Sequence, residues 1–226
     1  MFYISDKSIS SLAEYRVART TLLDLIYRVE AFVGSHPELS RLIIKAKDEF
    51  SALAGKLHTD GDDYNNRIKS FLNWFLFDWK ISSSSQKTPF EVFMKEAKLD
   101  SETKQYCVNL VNHQYSLFLM DKKFKSGVRL KNLYNKKKLL LADLDGFEGI
   151  ESGDWIETRI FTVNGCNLLG NYMIIHPALA YKTLHKRIKK SALPVDAWQE
   201  LILKLHNCHA KWRSYKKIDV SFIYKF

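Results

Sequence analysis

The sequence predicts an α+β fold with an N-terminal helical bundle, a central small antiparallel β-barrel of the OB or SH3-like sort, and C-terminal helices. Three observations predict it. Apolar residues recur at spacings of three and four through the first 80 residues, the period changes to two near residue 115, and helical spacing returns after His176-Pro177. The segments are a bundle over 1–80, a helical connector over 81–114, a five-stranded barrel-like sheet over 115–177 and a basic helical segment over 178–226.

The first stripe is Leu12, Tyr15, Ala18, Leu22, Leu25, Ile26, Val29 and Phe32, and Gly34-Ser35-His36-Pro37 stops it. Pro37 then opens a second helix behind Ser35 or His36 as cap, with Leu39, Leu42, Ile43, Ala46, Phe50, Leu53 and Leu57 on its apolar face. Asp62 or Asp63 caps a third helix through FLNWFLFDWK (71–80). That stretch is apolar nearly all round, so Trp74, Phe75 and Trp79 are expected to pack the bundle against its neighbours rather than stack on a ligand. SSSSQK (82–87) is a linker. Thr88-Pro89-Phe90-Glu91 carries a capping box with proline at the first helical position, and Asp100 or Ser101 caps the next short helix.

YSLFLM, GVRLKNLY, KKLLLADL, DWIETRIFTV and CNLLGNYMII read as five short strands bounded by turn residues. Asn164-Gly165 supplies the two positive-φ positions of a type I′ hairpin. Five strands in so short a span suggest closure into a small barrel. Two further helices follow, one with Leu179, Thr183, Leu184 and Ile188, the other from about Pro194 to Trp212. KKIDVSFIYKF alternates at Ile218, Val220 and Phe222 or Ile223 like an extra strand.

FLNWFLFDWK, TPFEVFMKEAKLD, the QYSLFLM strand and GIESGDWIETRIFTVNGCNLLGNYMII together resemble a segment of poorly characterised bacterial proteins that sometimes carry a cysteine-rich SEC-C zinc motif. The shared features are an aromatic helix ending in Phe-Asp, a threonine-proline helix start, a strand beginning Tyr-Ser-Leu-Phe and a Gly-Asp leading into a hairpin. The resemblance covers residues 71 to about 177 and implies the helical-plus-barrel layout. The SEC-C ligands are missing from this chain, so it implies no zinc.

Composition narrows the function. Cys107, Cys166 and Cys208 are odd in number and share no CxxC spacing, which suggests neither a disulfide framework nor a structural zinc site. No basic segment followed by an apolar run opens the chain, and no apolar stretch is long enough to span a bilayer. A reducing cytoplasmic setting without membrane contact is expected. GxxxxGK[ST], GxGxxG and GxSxG are all absent, which leaves nucleotide hydrolysis, dinucleotide redox work and esterase chemistry without support.

The net charge of +10 is concentrated. Residues 121–138 hold eight basic side chains against one acidic, and residues 181–226 hold eleven against three, so the excess can act as two local fields. In KKFKSGVRLKNLYNKKK, the cations Lys122, Lys123, Lys125, Arg129, Lys131, Lys136, Lys137 and Lys138 are interleaved with Phe124 and Tyr134. Strand alternation puts Arg129 and Lys131 on one face. Phosphates need cations and bases need flat partners, so this pattern suits a single-stranded nucleic-acid groove. The bland reading is an edge hairpin whose lysines block sheet-to-sheet association. The second field, Lys182, Lys186, Arg187, Lys189, Lys190, Lys211, Trp212 and Arg213, repeats the mixture.

No RNP1 sequence, zinc finger or GXXG loop is present, so the leading expectation is non-enzymatic, largely sequence-independent binding of RNA or single strands. The alternative is a protein-interaction or regulatory adaptor whose basic surfaces meet an acidic partner. A third reading is a hydrolase in which Asp143, Asp145, Glu148, Glu151 and Asp154 hold divalent metal, although a flexible connector does not by itself make carboxylates converge. His206, Cys208 and His209 are clustered soft ligands without further ligands nearby in sequence, and Cys208 lacks an oriented base. No metal, cofactor or catalytic residue is expected.

Overall fold

The computed structural model describes residues 11–57, 63–82, 84–143, 145–181, 184–185, 193–215 and 217–225. The element order is α1 (Leu12–Ser35), α2 (Pro37–Ala54), α3 (Tyr64–Phe77), α4 (Pro89–Glu96), α5 (Ser101–Leu110), β1 (His113–Phe124), β2 (Gly127–Asn132), β3 (Lys138–Leu141), β4 (Trp155–Val163), β5 (Cys166–His176), α6 (Val195–Ser214) and α7 (Val220–Ile223).

Local chemistry explains most helix boundaries. Ser11 and Glu14 close a capping box on α1, and Thr88 and Glu91 close one on α4, each satisfying two amide groups that the first turn leaves open. His36 caps α2 through Nδ1, which accepts from the amides of Glu38 and Leu39 at 3.3 Å. Asp63 heads α3 but makes no side-chain cap; its carboxylate is turned to His209 instead.

The five strands form one antiparallel sheet in the order β3-β2-β1-β4-β5. This corrects the closed OB or SH3-like barrel expected from the strand count. The edge strands approach each other, with Asn167 Nδ2 donating to Leu140 O at 3.2 Å, but no ladder joins them. Its third strand, β3, has four residues, too few to pair along the eleven of β5. Asn164 and Gly165 take φ of 48° and 74°, as a type I′ hairpin turn requires. Gly127 matters for space: a Cβ there would lie 2.2 Å from the Leu141 carbonyl oxygen. Gly127→Ala is expected to cost about 1–3 kcal/mol through overpacking, measured as a lower urea midpoint with unchanged m-value. An unchanged midpoint would mean that β2 and β3 are not packed this closely.

Three apolar clusters surround the sheet. Helices α1 to α5 bury Leu22, Ile26, Phe50, Phe75 and Trp79 together with Phe161, Val163 and Leu168 from β4 and β5, so the aromatic helix is core, as the sequence predicts. One sheet face, with Tyr115, Leu117, Trp155, Tyr172 and Ile174, packs against Trp198, Ile202 and Leu205 of α6 and against Tyr224. The opposite face, with Phe118, Met120, Val128, Leu130, Ile156 and Ile160, is covered by Phe147 and Ile150 of the β3–β4 connection. That connection is a plug with acidic shoulders.

The chain end is also corrected. Instead of an extra strand, Val220–Ile223 is a helical turn whose cap Asp219 accepts from the Ser221 amide at 2.8 Å. No described helix is long and apolar enough to cross a membrane.

Candidate functional site

Two places carry unusual chemistry: the basic edge of the sheet and a buried polar cluster behind it. At the edge, cross-strand register makes Lys131 the direct partner of Lys138 and Arg129 the partner of Leu140. Arg129, Lys131 and Lys138 therefore share one face, where cations directly opposite each other repel. Asp121, at the bulge between Met120 and Lys122, partly answers them: it accepts from Arg129 Nε and lies 3.3 Å from Lys138 Nζ. The hydrogen bond from Arg129 in particular holds the Asp121 carboxyl below its usual range.

The other edge cations differ in what they meet. Lys122 and Arg129 lie over the Phe124 ring, at 5.3 and 5.7 Å from its centroid, so one aromatic ring serves two cations. Lys123 donates to the Phe147 carbonyl at 3.2 Å, and Lys136 donates to the Leu133 carbonyl from a turn position with φ of 63°. Lys125 and Lys137 are exposed at the two turns. Tyr134, partly exposed, rests on Trp198 of α6 with 5.3 Å between ring centroids. Lys122, Arg129, Lys131 and Lys138 thus share one face, Lys123 lies on the other beside Val128, and Lys125 and Lys137 mark the two turns.

Lys211, Trp212 and Arg213 sit elsewhere. They occupy the last turns of α6, and the Trp212 ring packs against His209 at 5.6 Å. Trp198, which touches Tyr134, precedes Trp212 by fourteen residues, about 21 Å along a helix. The two groups lie at opposite ends of α6. Lys182, Lys186, Arg187, Lys189 and Lys190 fall outside the described residues.

The acidic connection does not converge on a metal. Asp143 is buried against Arg16, 3.1 Å from its Nε, while Asp154 accepts from the Glu151 amide and Glu148 from the Gly146 amide. Cys208 is buried and its thiol is pushed up to about 11, so it is not a thiolate nucleophile at neutral pH. Among the described residues, no group of three or more His, Cys, Asp or Glu side chains is arranged to hold a metal ion.

Sequence reasoning missed the buried cluster. Glu157 projects from β4 toward the helices and is wholly buried. Its Oε1 accepts from Tyr115 Oη at 3.1 Å and from Ser70 Oγ and His206 Nδ1 at 3.4 Å; its Oε2 lies 3.6 Å from His176 Nε2. His176 stacks on Trp155 at 4.4 Å, and its Nδ1 is 3.1 Å from Tyr224 Oη. His209 Nδ1 is 3.2 Å from Asp63 Oδ2. Arg67 donates from α3 to the carbonyls of Ala54, Gly55, Lys56 and His206, tying the end of α2 to α6. Burial resists charge on Glu157, but its histidine partners outweigh it and pull the carboxyl down to about 2; burial pushes His176 down to about 4 and lowers His206. The ground state at neutral pH is the Glu157 carboxylate between the neutral imidazoles of His176 and His206.

Two residues along the same strand, Arg159 pairs with Asp78 at the end of α3 and lies 5.2 and 5.0 Å from the Phe77 and Tyr115 ring centroids. One signal in the sequence pointed here. WIETRIFTV is apolar on both faces, so a glutamate and an arginine inside it must be buried and therefore partnered.

No curated protein and no solved structure matched the chain. A family profile described as "Family of unknown function (DUF7986)" matches residues 8–220. That span takes in all five helices before the sheet, the sheet itself and α6, so the chain belongs to this family of unknown function (DUF7986).

Proposed function

We propose that the protein binds nucleic acid, RNA or single strands, largely without regard to sequence, through the basic edge formed by β1, β2 and β3. The observation that carries this reading is the direct opposition of Lys131 and Lys138 beside Arg129 on one sheet face. Like charges in register destabilise a ladder, and Asp121 offers one negative charge against three cations. A bound phosphate backbone supplies the rest. Lys122, Lys125, Lys136 and Lys137 extend the field along the two turns, and Tyr134 presents a partly exposed ring at its border for a base. Lys211 and Arg213 at the far end of α6 suit a second stretch of a longer strand.

Titration of a labelled single strand against the full-length protein over a range of salt tests the proposal. Affinity is expected to fall with salt at a log–log slope of about −0.7 for each phosphate contacted, giving roughly −2.8 to −3.5 for four or five contacts. Absence of a shift at low salt, together with retention of an acidic protein partner, would favour an adaptor. Metal-dependent cleavage of the strand would favour a hydrolase.

A further inference from the structure

The polar contacts that hold α6 and the chain end on the sheet run mainly through imidazoles. His206 joins α6 to Glu157 of β4 and Ser70 of α3; His209 joins α6 to Asp63 ahead of α3; His176 of β5 joins Tyr224, beyond α7. The ring of His209 also meets that of His176, edge to face at 5.6 Å. The links to α6 that do not titrate in this range are fewer: Trp198 Nε1 donates to Ser116 Oγ at 3.2 Å, and Arg67 Nη1 to the His206 carbonyl at 3.2 Å.

We propose that this cluster is an acid-operated latch, in which protonation of His176 and His206 releases α6, α7 and Tyr224 from the sheet while the α1–α5 bundle stays folded. The charged and titratable groups facing the imidazoles of His176 and His206 are Asp63 and Arg67 at α3, Glu157 on β4, Tyr115 on β1, Tyr172 on β5, Tyr224 at the chain end, and Cys208 and His209 on α6 itself, while Lys211 is exposed and meets Cys208. From α2 come the Phe50 ring, 5.5 Å from His206, and the carbonyls that bind Arg67. Two carboxylates against one guanidinium leave the closed site one negative charge when the imidazoles are neutral. A first proton neutralises it. A second places net positive charge in a dry interface, which water would relieve only if α6 moves away.

The sign follows from the direction of the shifts. Both histidines bind protons less readily when closed than when released, where about 6.5 is usual, so the released form takes up more protons as pH falls. The closed form is fully favoured above about pH 6.5 and loses ground as pH falls toward the closed-state value, about 4 for His176. Glu157 stays ionised throughout that window.

Hydrogen exchange of the full chain, read by mass spectrometry and referenced to unstructured-peptide rates at each pH, tests the latch. Protection of residues 195–214 is expected to fall at least tenfold between neutral pH and about pH 5, more steeply than one proton allows, while α1 and α2 keep theirs. The double variant His176→Gln, His206→Gln is expected to show the same α6 protection at both pH values. Unchanged α6 protection in the natural sequence down to about pH 5, or simultaneous loss in all helices, would overturn the proposal even if the variant fails to fold.

Discussion

Asp78→Ala is expected to remove about 3–5 kcal/mol of folding stability, a large part of what a domain of this size has. The loss comes from what remains. Arg159 is fully buried and its guanidinium lies between the Phe77 and Tyr115 rings, so without the carboxylate it keeps its charge and loses its counter-ion. His113 loses its acidic neighbour at 3.9 Å as well, although its Nδ1 hydrogen still reaches the Leu110 carbonyl at 3.1 Å. Replacing both partners, as in Asp78→Ala with Arg159→Met, is expected to recover most of the loss, because an apolar side chain of similar length suits the aromatic slot. Urea unfolding of the two single variants and the double gives the coupling directly. Additive losses in the double variant would show that the pair does not act as a unit.

Glu157→Ala carries the second large effect, again about 3–5 kcal/mol. One carboxylate receives Tyr115, Ser70 and His206, and its removal leaves the Tyr115 and Ser70 hydroxyls without this acceptor and His206 with only the Ser70 oxygen, in a site closed to water. Glu157→Gln keeps an acceptor oxygen in the same place and is expected to cost less, about 1–2 kcal/mol. The contrast between the two variants in urea unfolding separates lost hydrogen bonding from lost charge. Equal costs would assign the whole effect to charge.

Both predictions concern residues that pattern reading passed over, and the reason is physical. Helices and strands announce themselves through neighbours a few residues apart: Ser11 with Glu14, Thr88 with Glu91, Asn164 with Gly165. The hydrogen-bond partners of Glu157 and Arg159 come from 42 to 87 residues away in the chain, on elements whose relative placement no local rule fixes. Barrel closure failed for a related reason. Period-two alternation identifies strands but says nothing of whether edges meet, and the short β3 decides that question. At the chain end, the alternation of Ile218, Val220 and Phe222 hid a cap: Asp219 two residues before Ser221 is the local signal for the helical turn that forms. The charge distribution, by contrast, was legible as far as the hairpin. Counting located the cations, and alternation put Arg129 and Lys131 on one face; the pairing with Lys138 and the presence of Asp121 among them required the register.

The functional proposal rests on the sheet edge rather than on total charge, and a pair of charge reversals separates the two. Affinity for a labelled single strand at one low salt concentration is to be compared among the natural sequence, Lys131→Glu, and Lys45→Glu, an exposed cation on α2. The edge variant is predicted to bind at least about tenfold more weakly, with Lys45→Glu close to the natural sequence. Equal binding by all three, or equal weakening by either reversal, would contradict a nucleic-acid interface on β1, β2 and β3.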